Sequence, residues 1–382
     1  MKILSVVGAR PNFMKIAPFI RAINDYNKTA KTVIQHILVH TGQHYDQNMS
    51  EAFIRELNIP KPDINLGIGS GTHAEQVGYT MIELEKVLRK TNPDWVVVVG
   101  DVNATLASSV TAKKEHIKCA HIEAGLRSGD LKMPEEINRL VTDRLSDLLF
   151  TPDRISIENL IKEGVPESKI KFVGNIMIDT LEANRKKAST LSLERIIKNA
   201  HFPSQSPANW IKGSKYALMT LHRPSNVDDR KILSGIVDFL LENVIKNMPM
   251  LWPVHPRTKS RLIEFDLWEK LMKQPAMIIL EPLGYLDMLR LNMDASIMLT
   301  DSGGLQEECT VLGTPCITMR WNTERPITLQ EHGGASVLVG NDINILEREF
   351  ARMLAEKRKP VIPELWDGKT SHRIIKELIS HC

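Results

Sequence analysis

The chain has 382 residues, of which 25% are charged and 42% hydrophobic, and its formal net charge is +3. This length suits two domains of ordinary size, and the composition is that of a globular protein. A charge this close to neutral excludes a general nucleic-acid binder, so an acidic ligand would have to be met by local residues.

The cysteines and the first residues indicate a compartment. The four cysteines form no Cys-x-x-Cys pair, which favours a reducing environment. Residues 1–8 have the pattern of a buried strand rather than of a signal peptide, and no apolar run approaches transmembrane length. We therefore expect a cytoplasmic protein with no membrane partner and no nucleic-acid partner.

Strand-like apolar runs and helix-period segments alternate along the chain. The predicted strands of the first half are Ile3–Gly8, His36–Thr41, Trp95–Asp101, Cys119–Ala124, Leu148–Thr151 and Lys171–Val173. After a polar stretch over residues 186–214, where we expect a domain boundary, the predicted strands are Tyr216–Leu221, Met250–Val254, Met277–Leu280, Ala295–Thr300, Pro315–Met319 and Ala335–Val339. The predicted helices include His73–Arg89, Lys231–Ile245, Ile345–Glu356 and Thr370–Ile379. This alternation predicts two parallel sheets, each with helices on both faces.

Polar residues follow the predicted strands of the first half. Arg10 and Lys15 come after the first strand, and both could face an anion. Asp101 and Glu123 lie at the ends of two later strands, where an acid is costly to bury without a purpose, although Asp101 could also cap a helix. The carboxyl ends of parallel strands are where open α/β sheets bind ligands.

Further charged residues follow in chain order. Glu135 opens a helix, where an acid also compensates the helix dipole, and Arg139 could pair with it one turn later. His222 and His255 end two strands of the second half, each with an arginine close by. A single histidine at a strand end is usually structural, but two on neighbouring strands favour a functional site.

A phosphate-binding turn is predicted at Ser302-Gly303-Gly304, between an apolar strand and the start of a helix. Small residues allow the backbone to approach an anion, and the helix N-terminus attracts negative charge. Arg325, on a later loop, could bind the same anion through two hydrogen bonds. An ordinary tight turn would also explain the Ser-Gly-Gly sequence.

Two kinds of cofactor find no support in the sequence. No predicted strand is followed by Gly-x-Gly-x-x-Gly, which disfavours a bound nicotinamide or flavin. His40 and His44 have a zinc-like interval, but they lie on a strand-to-loop turn and lack a third ligand. We therefore expect neither a cofactor nor a catalytic metal.

Taken together, these motifs closely resemble those of the non-hydrolysing UDP-N-acetylglucosamine 2-epimerases. The matching residues are Gly8-Ala9-Arg10-Pro11 with Lys15, Thr41-Gly42-Gln43-His44 with Asp46-Gln47, Gly100-Asp101, His121-x-Glu123-Ala124-Gly125-Leu126-Arg127, Pro134-Glu135-Glu136-x-Asn138-Arg139, His222-Arg223, Asp301-Ser302-Gly303-Gly304-x-Gln306-Glu307-Glu308 and Glu324-Arg325-Pro326. The resemblance implies an α/β fold of the GT-B type, in which two Rossmann-like doubly wound domains face a central cleft. It places residues 1–176 with the C-terminal helix 362–382 in the first domain, and residues 177–361 in the UDP-binding domain.

The resemblance also implies a reaction. It is the reversible epimerisation of UDP-N-acetylglucosamine (UDP-GlcNAc) to UDP-N-acetylmannosamine (UDP-ManNAc) at C2, by a homodimer that uses neither metal nor nicotinamide. No carbonyl acidifies the C2 proton, so a route without oxidation must first expel the group at C1. Anti elimination of UDP would give 2-acetamidoglucal, to which UDP adds back. This path needs a firm hold on the diphosphate and at least two acid/base groups.

Roles carried over from the family fall into three sets. The catalytic set is Asp101, Glu123, Glu135, His222 and Lys15. The substrate-binding set is Arg10, Arg139, His222, Tyr285, Ser302, Gly303, Gly304, Glu308 on the ribose, and Arg325. An additional regulatory UDP-GlcNAc would be bound by Gln43 and Gln47 together with His255.

Two departures from the family pattern leave the exact sugar open. Pro224 and Ser225 replace the usual Arg and Glu after His222-Arg223, and Leu283 stands where many relatives have glutamine. Close relatives act on UDP-linked 2,3-diacetamido uronic acids. Three further functions are compatible with the UDP-binding motifs, namely those of a GT-B glycosyltransferase, a hydrolysing epimerase and a catalytically silent nucleotide-sugar sensor.

Overall fold

A computed structural model of the chain describes residues 1–8, 10–42, 56–57, 59–202 and 215–381, with the backbone alone for residues 10 and 11. Gln43, His44 and Gln47 lie outside the described residues. The chain divides into two compact units, residues 1–183 with 363–382 and residues 184–362. The division falls inside the helix Ile176–Ser189.

The described part of the chain forms two sheets. The strands of the first unit are β1 Lys2–Val7, β2 Gln35–His40, β3 Ile64–Asn65, β4 Trp95–Val99, β5 Lys118–Ile122, β6 Leu148–Thr151 and β7 Ile170–Phe172. Those of the second unit are β8 Ala217–Thr220, β9 Met250–Pro253, β10 Met277–Leu280, β11 Ile297–Thr300, β12 Cys316–Thr318 and β13 Ser336–Leu338. All twelve predicted strands are present, with ends that differ by at most three residues. β3 was not predicted, since it has only two residues.

Helices connect the strands. Those of the first unit are Arg10–Asn27, His73–Thr91, Asn103–Lys114, Pro134–Leu145, Arg154–Lys162, Ile176–Ser189 and, at the end of the chain, Thr370–Ser380. Those of the second unit are Leu193–Ala200, Pro224–Val227, Arg230–Phe239 with a π-helical continuation over Leu240–Val244, Pro256–Glu264, Trp268–Met272, Tyr285–Asp294, Gly303–Leu312 and Ile343–Leu354. Every helix among the described residues is too short or too polar to cross a membrane.

Both sheets are parallel and doubly wound. Their strand orders are β3-β2-β1-β4-β5-β6-β7 and β10-β9-β8-β11-β12-β13, and every strand pair is parallel. The central strands are buried along their whole length, as β4 with its Val96–Val99 run shows, because helices cover both faces. The order reverses between β1 and β4 and between β8 and β11, so each unit has its own topological switch point, where such sheets bind ligands.

The polar stretch after residue 186 contains more structure than its composition suggests. The helix Leu193–Ala200 lies within it, begins at the N-cap Ser192, and buries Ile196 and Ile197 in the core of the second unit. These apolar residues recur at helical spacing, which the surrounding Lys and Asn residues obscure in the sequence. The described part of this stretch is therefore a packed helix rather than a linker.

The C-terminal segment belongs to the first unit. The carboxylate of Asp179 accepts hydrogen bonds from the backbone N–H groups of Thr370 and Ser371, at 3.0 and 2.7 Å, and so caps the last helix. The indole N–H of Trp366 donates to the carbonyl of Pro152 at 2.9 Å, and the Trp366 side chain is buried. These contacts hold residues 363–382 against the first unit.

Candidate active site

The carboxyl end of the first sheet holds a buried ion pair. Lys15, on the helix that follows β1, contacts the Glu123 carboxylate at the end of β5, and both side chains are more than nine-tenths buried. Strands β5 and β1 are not neighbours, but both border β4. The strand order therefore brings the Lys15 ammonium and the Glu123 carboxylate together at the topological switch point, although the two residues are 108 positions apart in the sequence.

The backbone at this point is also unusual. Glu123 has a φ of 73°, in the left-handed region that non-glycine residues rarely adopt. Gly100, at the end of β4, has a φ of 68°, and a Cβ added there would lie 3.0 Å from Nζ of Lys15. Unfavourable backbone conformations of this kind cluster at functional sites. The glycine leaves room for the ammonium beside the Glu123 carboxylate.

Asp101 is held by a buried arginine. Nη1 of Arg139 donates to Asp101 at 2.5 Å and Nη2 donates to Glu136 at 2.6 Å. The Glu136 carboxylate also accepts from two backbone N–H groups, those of Ser128 and Gly129. Burial raises the pKa of Glu136, but these hydrogen bonds and the Arg139 charge outweigh it, so the pKa lies below its usual value.

The pairing predicted for Arg139 was therefore wrong. Arg139 pairs with Glu136, three residues before it, and with Asp101, rather than with Glu135. Glu135 is half-buried in the first turn of its helix, and its side chain makes no hydrogen bond or ion pair with any residue that the structure describes. Arg139 is only 1% exposed and holds the carboxylates of both Asp101 and Glu136.

A histidine and an acid that were not singled out as site residues lie beneath Asp101. Nδ1 of His121 lies 2.6 Å from Asp143, and Nε2 lies 2.8 Å from the carbonyl of Gly100. A carboxylate and a carbonyl therefore hold the two ring nitrogens of His121. His121 thus fixes the peptide that precedes Asp101. The His-x-Glu motif pointed to His121, but no sequence signal linked it to Asp143, 22 residues later.

The second unit carries a histidine–carboxylate pair at its own switch point. Asp301, after β11, accepts from the backbone N–H groups of His222 and Arg223 at 2.9 and 2.7 Å. Nδ1 of His222 lies 2.9 Å from the same buried carboxylate, while the imidazole is 41% exposed. Burial raises the pKa of Asp301, but its contacts with His222 outweigh this and lower the pKa below its usual value. Asp301 therefore orients the His222 ring with one nitrogen available to a ligand.

The predicted phosphate turn is the start of a helix. Gly303 and Gly304 open the helix Gly303–Leu312, and Ser302 is its N-cap residue but makes no side-chain capping hydrogen bond. Arg325 is buried and ion-paired with Glu324 and with Glu307, whose Oε1 lies 2.8 Å from Nε. A Cβ added at Gly303 would lie 2.8 Å from Nη1 of Arg325. The Arg325 guanidinium and the Glu324 carboxylate therefore both lie beside the first turn of this helix, since Oε1 of Glu324 would also be 2.8 Å from that Cβ.

Glu308 lies in the same helix and is fully buried. Its carboxyl group lies close to the side chains of Tyr285 and Asn292. Burial raises the pKa of Glu308 to about 7, the charge of Glu307 adds to the effect, and the polar groups of Tyr285 and Asn292 oppose it. Tyr285 is also buried, with 5% of its surface exposed. The two predicted substrate-binding residues are therefore buried near each other in the second unit.

The raised pKa of Glu308 gives a stability prediction. A folded-state pKa near 7, against an ordinary value of 4.5, means that the neutral form is favoured by folding, so its contribution is complete below about pH 4.5 and declines as the pH rises through 7. We expect the ligand-free protein to lose up to about 3 kcal/mol of stability in this range relative to Glu308→Gln. Denaturant titrations of both proteins at pH 5 and pH 8 measure the difference. Parallel pH profiles of the two proteins would contradict the assignment.

Of the departures from the family pattern, those after Arg223 lie on the surface, as does His255. His255 accepts a hydrogen bond from the N–H of Arg257 at 3.2 Å, and its ring centroid lies 5.5 Å from that of His222 with the ring planes tilted by 40°. Pro224 and Ser225 are exposed, and Leu283 packs against a core cluster. The substitutions after Arg223 therefore leave the buried contacts of Asp301 intact.

No group of three or more His, Cys, Asp or Glu side chains with the arrangement of a metal site occurs in the part of the chain that the structure describes. Arg10 lies at the start of its helix, where the structure describes the backbone alone. The described candidate residues are therefore acids, a lysine and an arginine at the switch point of the first unit, and, separately, a histidine, an arginine and a helix N-terminus in the second unit.

Two parallel doubly wound units, each with charged side chains at its switch point, define an α/β protein of the GT-B class. The family model described as UDP-N-acetylglucosamine 2-epimerase matches residues 27–379. The UDP-N-acetylglucosamine 2-epimerase of Methanocaldococcus jannaschii is 44% identical over 379 residues, covering 99% of each chain. The chain therefore belongs to the UDP-N-acetylglucosamine 2-epimerase family, and the expected GT-B fold is confirmed.

Two further similarities bear on the ligand. The crystal structure of the M. jannaschii enzyme in complex with UDP-GlcNAc and UDP covers 100% of both chains, with 43% identity and a TM-score of 0.87. The UDP-2,3-diacetamido-2,3-dideoxy-D-glucuronate 2-epimerase of Pseudomonas aeruginosa is 42% identical over 344 residues, which is 89% of this chain and 88% of that protein. Both substrates named for these relatives are UDP-linked amino sugars.

Proposed function

We propose that the chain interconverts UDP-GlcNAc and UDP-ManNAc by epimerisation at C2. The observation that carries the proposal is the pair of differently held acids at the first switch point, Glu123 beside Lys15 and Asp101 beside Arg139. A protein that only bound UDP would not need acids buried in this way, because each is costly to remove from water. Proton removal and return at C2 require such groups.

The candidate residues have two proposed roles. The N-terminus of helix Gly303–Leu312, with Arg325 and His222, would hold the diphosphate and stabilise its charge as the C1–O bond breaks. Asp101, Glu123 and Glu135 would take the C2 proton from one face and return a proton to the other. UDP then adds back to C1 of 2-acetamidoglucal. Every proton and electron pair is accounted for without an oxidant.

Solvent exchange at C2 tests this proposal. We expect that incubation of the pure protein with UDP-GlcNAc in D₂O gives UDP-ManNAc with deuterium at C2, and that recovered UDP-GlcNAc also gains deuterium. Proton NMR measures both products, and added NAD should change neither. Product that carries only protium at C2 would rule out both elimination and transient oxidation.

Two competing activities are separated by the same experiment. A GT-B glycosyltransferase would release UDP only with an acceptor and would exchange no C2 proton. A hydrolysing epimerase would yield free N-acetylmannosamine and UDP.

The relative from P. aeruginosa makes a 2,3-diacetamido uronic acid sugar the second candidate substrate, so the assay is repeated with that UDP-sugar. The higher kcat/KM identifies the substrate of this chain.

Regulation by a second UDP-GlcNAc is part of the proposal. The exposed His255 ring lies 5.5 Å from that of His222, a residue proposed to bind phosphate, and this supports a role for His255 in ligand binding. Gln43 and Gln47 are the other two residues proposed to bind the regulatory ligand. If UDP-GlcNAc at the second site stabilises the active state, the conversion of UDP-ManNAc depends on UDP-GlcNAc. We expect highly purified UDP-ManNAc to react only after a trace of UDP-GlcNAc is added, and Gln43→Ala to weaken this response. Full-rate reaction of UDP-ManNAc alone would contradict it.

A homodimer and a cytoplasmic location complete the proposal. Tyr79 and Ile82 are more than half exposed on one side of the helix His73–Thr91, where a second copy would cover apolar surface. Light scattering would measure the mass in solution. The described cysteines Cys119, Cys309 and Cys316 are buried and free, which suits a reducing compartment. Cell fractionation would test the location.

A further inference from the structure

Four charged side chains are buried next to the first turn of the helix Gly303–Leu312. Nη2 of Arg320 donates to Glu324 at 2.7 Å, and Arg325 pairs with both Glu324 and Glu307. All four side chains are more than nine-tenths buried. Because two positive charges face two negative ones, the cluster is neutral overall and each arginine is held in place.

One nitrogen of this cluster, Nη1 of Arg320, has no hydrogen-bond partner among the residues that the structure describes. The Arg320 side chain is only 3% exposed. A buried N–H group without an acceptor has lost its hydrogen bonds to water and gained none in return, and the cost is higher when the group is charged. Native proteins rarely retain such a group without a reason, and an acceptor supplied by a ligand is one.

The unpaired nitrogen lies at the predicted phosphate turn. A Cβ added at Gly303 would be 3.5 Å from Nη1 of Arg320. The first turn of this ten-residue helix contains no acidic residue, and its N-cap, Ser302, makes no side-chain capping hydrogen bond. A guanidinium N–H and the backbone N–H groups of the helix start are therefore close enough to bind the same anion. Arg325, in contrast, is already engaged with two carboxylates.

We propose that Arg320 is a phosphate-binding residue, and that its Nη1 donates to an oxygen of the diphosphate of a UDP-sugar at the start of helix Gly303–Leu312. This inference deepens the proposed function and rests on it for the identity of the ligand. Glu324 holds the guanidinium in position through Nη2, and Arg325 in turn holds Glu324. A diphosphate can then bind to Arg320 without breaking the ion pairs of Glu324 with Arg320 and Arg325, because Nη1 of Arg320 is not involved in them.

Calorimetric titrations with UDP, inorganic pyrophosphate and uridine test the proposal. We expect Arg320→Gln to weaken binding of UDP and of pyrophosphate roughly 10- to 100-fold, the range for a lost charge-assisted hydrogen bond, and to change uridine binding less than about twofold. The matched control is Arg290→Gln, an arginine of the same unit whose partners are Asp294 and the carbonyl of Leu191. The control should leave all three affinities unchanged.

A purely structural role for Arg320 would give a different result. It would weaken uridine and UDP binding together, and that outcome, like unchanged UDP affinity, would overturn the proposal. If Arg320→Gln does not fold, Arg320→Lys keeps the charge beside Glu324 but loses the planar fork, and a loss of about threefold or more for UDP with unchanged uridine binding is expected. Unchanged UDP affinity in Arg320→Lys would then overturn the proposal.

The same measurements keep this inference apart from the proposed function. UDP binding that depends on Arg320, in a protein that exchanges no C2 proton, would support the phosphate-binding residue and refute the epimerase activity. Full C2 exchange, with UDP binding that does not depend on Arg320, would support the epimerase activity and refute the phosphate-binding role of Arg320.

Discussion

Glu123→Gln is expected to lower kcat of the C2 epimerisation by about 100-fold or more while UDP still binds, because the amide keeps the shape of the carboxylate but cannot exchange a proton. Asp101→Asn and Glu135→Gln should have effects of similar size. Initial rates by NMR and UDP titrations measure the two quantities separately. Since slow proton return delays re-addition of UDP, 2-acetamidoglucal and UDP should accumulate with Glu123→Gln.

An exposed acid of the same unit provides the control for this prediction. Glu158, on the helix Arg154–Lys162, is 63% exposed and forms only a distant pair with Lys162, at 3.9 Å. Glu158→Gln should therefore leave kcat unchanged. Wild-type kcat in Glu123→Gln, Asp101→Asn and Glu135→Gln would show that the acids at the first switch point do not carry the chemistry.

The sequence predicted the strands well because each of them is a short apolar run bounded by turn residues. β3 escaped because Ile64–Asn65 is too short to show a pattern. The helix Leu193–Ala200 escaped because its apolar residues are few and its surroundings polar. The type and spacing of apolar residues indicate which side of a helix or strand is buried. An element with few buried residues therefore gives only a weak pattern in the sequence.

The sequence named candidate residues, but it did not predict their contacts. Motif order identified Asp101, Glu123 and Arg139, yet the partner of each depends on which strands become neighbours. Helix periodicity predicted that Arg139 pairs one turn away with Glu135, whereas the fold supplies Asp101 from a different strand. For the same reason, the sequence did not identify Asp143 as the partner of His121. Contacts between elements follow from topology, which local spacing does not encode.

Arg139→Met is expected to destabilise the first unit by about 3 kcal/mol or more, because it leaves the Glu136 carboxylate buried without its cation and releases Asp101. Methionine keeps most of the apolar volume of the side chain, so the effect reports the charge rather than a cavity. For a unit of this size the loss corresponds to a fall in the midpoint of thermal unfolding of roughly 6 to 12 °C. Differential scanning calorimetry measures it.

The control for this last prediction is an ion pair of the same unit that is open to water. Arg154 and Glu364 form a bidentate pair in which the side chains are 68% and 52% exposed, and pairs of this kind contribute at most about 1 kcal/mol. Arg154→Met should therefore lower the unfolding midpoint far less than Arg139→Met. Equal shifts would mean that Arg139 is not the buried link between Asp101 and Glu136. Its role would then be limited to contact with the substrate, and UDP-sugar binding by Arg139→Met would decide that question.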